Sequence, residues 1–102
     1  MKALVFDRFG GPEVLHIADV SDPLPTAGQA LVRTRAIGLN FADCYRRQGR
    51  YHLVGNPPWI AGYEAAGEVV SAPDSSGFAP GDRVAFADAP FADRDTACTA
   101  RG

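Results

Sequence analysis

IAGYEAAGEVV, residues 60–70, sets one acid, Glu64, between Gly62 and Gly67 and runs on into a valine pair. Glycines let backbone approach closely and the alanines leave little room, so the Glu64 carboxylate must accept donors in a confined space. Two readings stand open: an acid that ties strand to loop, or a member of a reaction site. Perturbed acids occur in both settings. From Glu64 onward the segment EAAGEVVSA reads as a strand. SAPDSSGFAPGD then reads as a turn region and DRVAFA as a further strand.

The amino-terminal half also breaks into short strands. KALVF (2–6) and VLHIADV (14–20) read as strands joined by the turn GGPE, and SDPLPTAG (21–28) is a loop punctuated by proline. ALVRTRAIGL (30–39) sets Leu31, Arg33 and Arg35 opposite Val32, Thr34 and Ala36, and ends at Gly38. NFADCYRRQG is the helical candidate: Asn40 can cap it, and Phe41, Cys44 and Tyr45 share a face at i, i+3, i+4 spacing. A loop containing GNPPW leads back to the opening stretch. The expected fold is mainly β with one short helical segment, a small twisted structure of the partly open barrel kind.

Composition limits what such a domain does. With 102 residues, 46% of them hydrophobic, and a net charge of −2, the chain has material for one modest core. Nine arginines and the single lysine, Lys2, are scattered rather than gathered on one face, which argues against a nucleic-acid partner. No stretch reaches the length of a membrane span, and a soluble, cytoplasmic protein is expected. Cys44 and Cys98 stand far apart, outside any C-x-x-C pair, and His16 and His52 are isolated. Neither a disulfide framework nor a zinc knuckle is suggested.

Four segments taken together carry more than any one of them. GGPEVL (10–15), AIGLNFADCYRRQGRY (36–51), GYEAAGEVV (62–70) and GDRV (81–84) follow one another in an order and spacing that resemble the amino-terminal, GroES-like domain of medium-chain dehydrogenases/reductases. The nearest resemblance is to the zinc-free quinone oxidoreductase (zeta-crystallin-like) branch, over residues 1 to about 90. It implies a GroES-like, partly open β-barrel over 1–91, incomplete at its carboxyl end. It also implies hydride transfer from NADPH to a quinone or conjugated enone, and a homodimer when full length. Asn40, Tyr45 and Tyr51 take the catalytic cleft positions by this resemblance, and Asn40, Tyr63 and Glu64 the positions facing the cofactor. Each cleft residue has a plainer alternative: Asn40 as helix cap, Tyr45 as core, Tyr51 as loop anchor. Asp43 is expected to fix the local turn, and Arg46 and Arg47 to be solvated.

The same comparison bears on metal. The zinc-dependent relatives place a cysteine and a histidine where this chain resembles them with Asn40 and Tyr63. Amide and phenol are poor ligands for zinc, so no metal site is expected. Glu64, beside the replaced ligand, is then an organiser of the cleft wall. Hydride transfer without a Lewis acid calls for an electron-poor acceptor, to which the protein supplies position and hydrogen bonds.

The chain departs from the family pattern in two places. No two glycines stand at G-x-G spacing, so the fingerprint of a dinucleotide-binding Rossmann domain is missing and that domain is expected to be absent. After Phe91 the tail ADRDTACTARG (92–102) holds no large apolar residue, is atypical of the family, and is expected to be disordered. A reading frame shifted near residue 92 would account for both. The expectation is therefore the amino-terminal part of an NADPH-dependent quinone oxidoreductase, inactive by itself. A non-catalytic GroES-like binding or co-chaperonin-like module, and a fragment of an enoyl reductase, are the alternatives. Fold alone cannot choose among them.

Overall fold

In the computed structural model, residues 1–53 and 55–87 are described, together with the backbone of 98–101. Strand β1 (Lys2–Phe6) lies between β2 (His16–Asp19) and β4 (Trp59–Ile60), antiparallel to both, in a three-stranded sheet. A four-stranded sheet runs β6 (Arg83–Phe86), β5 (Ala65–Ser71), β3 (Ala30–Ile37), β7 (Cys98–Arg101). One helix, α1 (Phe41–Arg47), follows β3. Both sheets are open among the described residues, in keeping with a partial GroES-like barrel.

The strand positions follow from local chemistry. Lys2–Phe6 forms as expected, whereas the second strand starts only at His16 because Pro12–Val14 closes a 3-10 turn. Proline at the start of that turn suits it, having no N–H to leave unsatisfied. β5 alternates, with Ala65, Gly67 and Val69 buried and the intervening residues half-buried. β3 breaks the alternation expected of it: Leu31 and Val32 are both buried, because the register with β5 shifts between them. A bulge of this kind puts consecutive side chains on the same side. Where β3 passes Gly67, a side chain would collide with the Arg33 carbonyl, so the close pairing needs glycine there.

Two strands escaped the sequence reading. β4 is two residues long, too short for any period, and is fixed by tertiary contact: Trp59 packs on Phe6 and stacks on Phe9, each with ring centroids 5.3 Å apart. β7 pairs in parallel with β3 through backbone groups, which requires no large apolar side chain. It lies inside the tail expected to be disordered, and backbone pairing with β3 orders Cys98–Arg101 instead. Residues 88–97, and with them the expected break near residue 92, fall outside the described residues. The described core consists chiefly of Val5, Phe6, Val14, Leu31, Val32, Tyr63, Ala65 and Val69.

Candidate functional site

Glu64 and Asn40 meet where β3 hands over to α1. The chain leaves β3 at Ile37, and Asn40 takes extended backbone (φ −131°, ψ 153°) to cap the helix. Asn40 N–H donates to Asp43 Oδ2 at 2.9 Å, and Asp43 N–H returns a bond to the Asn40 carbonyl at 3.0 Å. The Asp43 carboxylate thus satisfies the Asn40 N–H, the half of a capping box that the N3 side chain supplies, and fixes the turn as expected. Asn40 Nδ2 meanwhile donates to Glu64 Oε2 at 2.9 Å. Gly38 N–H donates to the Glu64 carbonyl at 3.0 Å, and any side chain at Gly38 would collide with the Glu64 carboxylate. The acid is therefore folded over a glycine and held by an amide.

Beside this pair opens a pocket of about 520 Å³ lined by Ile37, Gly38, Glu64, Phe86 and five alanines. Among the described residues Glu64 is its one titratable wall residue. Small side chains and a single ring leave room for a flat apolar ligand with one polar edge.

The second cluster is aromatic. Tyr63 is buried, and the Arg46 guanidinium carbon lies 4.4 Å from its ring centroid and 5.8 Å from that of Tyr51. Arg46 is half-buried rather than solvated, and so is Arg47, whose Nε donates to the Gly10 carbonyl at 3.1 Å. Gly10 N–H donates in turn to the Arg47 carbonyl at 3.0 Å. The helix thus turns the other way from the sequence expectation. Ala42, Asp43, Arg46 and Arg47 are half-buried, while Phe41, Cys44 and Tyr45 are exposed. The reason is that polar anchors, Asn40 on Glu64 and Arg47 on Gly10, fix the helix at its two ends.

Of the residues the sequence singled out, Asn40 and Glu64 are in direct contact, and Tyr63 and Tyr51 flank one arginine. Tyr45 is 45% exposed on the outer side of α1, which removes the core reading of it. Among the described residues no hydrogen bond or ring contact joins it to the others. The sequence gives Arg46 no role at the site, and Gly38 only that of ending a strand. A glycine two residues ahead of the cap was the one available signal for the second, and nothing in the sequence marked the first. Among the described residues no three histidine, cysteine, aspartate or glutamate side chains converge.

A nicotinamide cofactor can be tested against these groups. Asn40 and the phenol of Tyr51 are polar groups suited to a carboxamide edge, and the alanine-lined pocket suits a flat ring. A glycine-rich loop opening a helix, which cradles a pyrophosphate, is not found among the described residues. By their chemistry these groups suit the ring end of such a cofactor rather than its phosphates.

Two open sheets with one short capped helix beside a small-residue pocket define a domain of the GroES-like class. Residues 26–102 match the alcohol dehydrogenase GroES-like domain, and the chain belongs to that family, within the quinone oxidoreductase branch of the medium-chain dehydrogenases/reductases. A quinone oxidoreductase of Pseudomonas aeruginosa is 44% identical over 91 residues, 88% of this chain and 28% of that protein. A 2-haloacrylate reductase of a Burkholderia species is 40% identical over 87 residues, 82% of this chain and 26% of that protein. The crystal structure of the Escherichia coli quinone oxidoreductase, complexed with NADPH, superposes with a TM-score of 0.78 at 35% identity, covering 85% of this chain and 27% of that one. The chain spans roughly a quarter of the length of the relatives it matches.

Proposed function

We propose that these residues form the acceptor-side wall of a reductase, independent of zinc, that passes hydride from NADPH to a quinone or a conjugated enone. The observation that carries this reading is the Asn40–Glu64 hydrogen bond at 2.9 Å beside an alanine-lined pocket. The amide it holds is a poor ligand for zinc, which supports the zinc-independent reading. The NADPH complex of the Escherichia coli relative and the 2-haloacrylate reductase support a nicotinamide donor and an electron-poor acceptor. The homodimer expected of the full-length protein belongs to the same proposal.

NADPH, when bound, supplies the hydride. The chain's own residues bind and orient. Glu64 accepts one N–H of Asn40 and leaves the second amide hydrogen to hold a ring substituent. Tyr51, half-exposed in the loop after α1, offers its phenol to an acceptor oxygen. The alanine walls leave room for a planar ring. Because the acceptor is already electron-poor, placement and hydrogen bonds suffice, with no Lewis acid.

The test joins this chain to the dinucleotide-binding domain of a relative. NADPH oxidation by a small quinone is expected, insensitive to a zinc chelator, with Asn40→Ala lowering kcat/KM about tenfold through loss of the hydrogen bond and the cap. Absence of oxidation in a folded, cofactor-binding fusion would sink the enzyme reading and favour a non-catalytic module. Running quinone, conjugated enone and halogenated acrylate side by side separates the acceptor classes.

A further inference from the structure

The arginine between the two tyrosines has no place in the function as proposed. Arg46 is half-buried, yet its Nε is among the buried polar atoms without a hydrogen-bond partner, and no described carboxylate pairs with it. Its contacts are the two rings, at 4.4 Å to Tyr63 and 5.8 Å to Tyr51. Both distances fall within the reach of a cation over an aromatic face. The two rings differ in kind. Tyr63 is buried between Gly62 and Glu64, at the root of β5, and cannot move far. Tyr51 is 50% exposed in the loop after α1, with no secondary structure of its own to orient it.

We infer that Arg46 is a positioning residue for the acceptor site: it couples the exposed ring of Tyr51 to the buried ring of Tyr63 and so sets where the Tyr51 phenol points. The helix supplies the geometry. Asn40 bonded to Glu64 and Arg47 bonded to Gly10 fix α1 at both ends, and Arg46 therefore projects from a fixed base. A planar guanidinium stacks on a ring as an ammonium cannot, so the charge and the flat shape both contribute. The inference rests on the reading of Tyr51 as the acceptor-facing residue, but the coupling itself is measured without any hydride transfer.

The experiment uses the 102-residue chain, labelled at the tyrosine rings, as wild type, Arg46→Met and Arg46→Lys. Arg46→Met keeps the length of the stem and removes the charge. In it the Tyr51 ring signals are expected to shift and their order parameters to fall, while those of Tyr63 change little and those of Trp59 not at all. Arg46→Lys is expected to recover part of the Tyr51 order. Anaerobic titration with 1,4-dihydroxybenzene, the reduced form of a simple quinone acceptor and so unable to take hydride, is expected to show about fivefold weaker binding in Arg46→Met and partial recovery in Arg46→Lys. Unchanged Tyr51 signals in Arg46→Met would overturn the inference. So would weaker binding with Tyr51 undisturbed, since Arg46 would then touch the ligand directly. If Arg46→Met does not fold, Tyr51→Leu reads the same coupling from the other end, through a shift of the Arg46 side-chain methylenes; no shift there overturns it. Should the fusion enzyme fail to reduce quinones while Tyr51 remains tied to Arg46, the functional reading falls and the coupling stands.

Discussion

Glu64 shows how a single acid can be read from its partners. Its side chain lies over Gly38, where no other residue fits, and accepts from Asn40 Nδ2 at 2.9 Å. One amide donor on a carboxylate orients the amide more than it prepares a proton transfer. Glu64→Gln keeps the shape but replaces a charge-assisted bond by a neutral one, so stability should fall by about 1 kcal/mol. Urea denaturation of the chain measures this. In the fusion enzyme, single-turnover hydride transfer by folded Glu64→Gln should stay within about tenfold of wild type. A loss of a hundredfold or more, the scale of a positioned general acid or base, would mean that Glu64 moves a proton.

At the scale of elements, α1 and the turn it leans on belong together. Seven residues make a helix too short to persist by propensity alone, so its end contacts decide its place. Arg47 bonds to Gly10, the entry to the Pro12–Val14 turn, and Glu13 closes that turn. The Glu13 carboxyl is held below its ordinary value, first by its own backbone N–H and next by that of Gly11, which donates to Oε1 at 3.0 Å. Nearby Arg8 and Arg47 add to this against slight desolvation. Because the folded value is the lower one, the turn gains from Glu13 at all pH above the unfolded value of about 4.3 and loses that gain as pH falls through the folded value. A titration following the Gly11 amide by NMR should give a midpoint below about 4.3, and Glu13→Gln should flatten it. A midpoint at or above the unfolded value would contradict the hydrogen-bond assignment.

Over the whole molecule, apolar surface is distributed unevenly. Leu39 is 90% exposed, Phe41 83% and Ile37 62%, all within five residues at the junction of β3 and α1. Contiguous exposed apolar side chains mark a surface that seeks cover. The isolated chain should therefore self-associate, with a sedimentation coefficient that rises with concentration, and Leu39→Asn with Phe41→Ser should reduce the effect. A concentration-independent monomer would count against it. No helix among the described residues is long and apolar enough to cross a membrane.

Much of this was legible in local chemistry. Lys2–Phe6, Ala30–Ile37, Ala65–Ser71 and the Asn40 cap follow from side-chain alternation, glycine and proline punctuation, and a capping pair three residues apart, all of which are short-range signals. The order of four segments likewise carried the family. Other features depend on residues distant in the chain. The bulge that buries both Leu31 and Val32 requires β5, the two-residue β4 requires Phe6, and Arg46 between Tyr51 and Tyr63 requires a loop and a strand brought to one side of a helix. The sequence by itself determined which segments extend, which one coils and which acid sits among glycines, because those depend on neighbours within a few residues. Only the tertiary structure decided which face of α1 turns inward and what Glu64 holds, because those outcomes are set by contacts made 24 and 37 residues away along the chain.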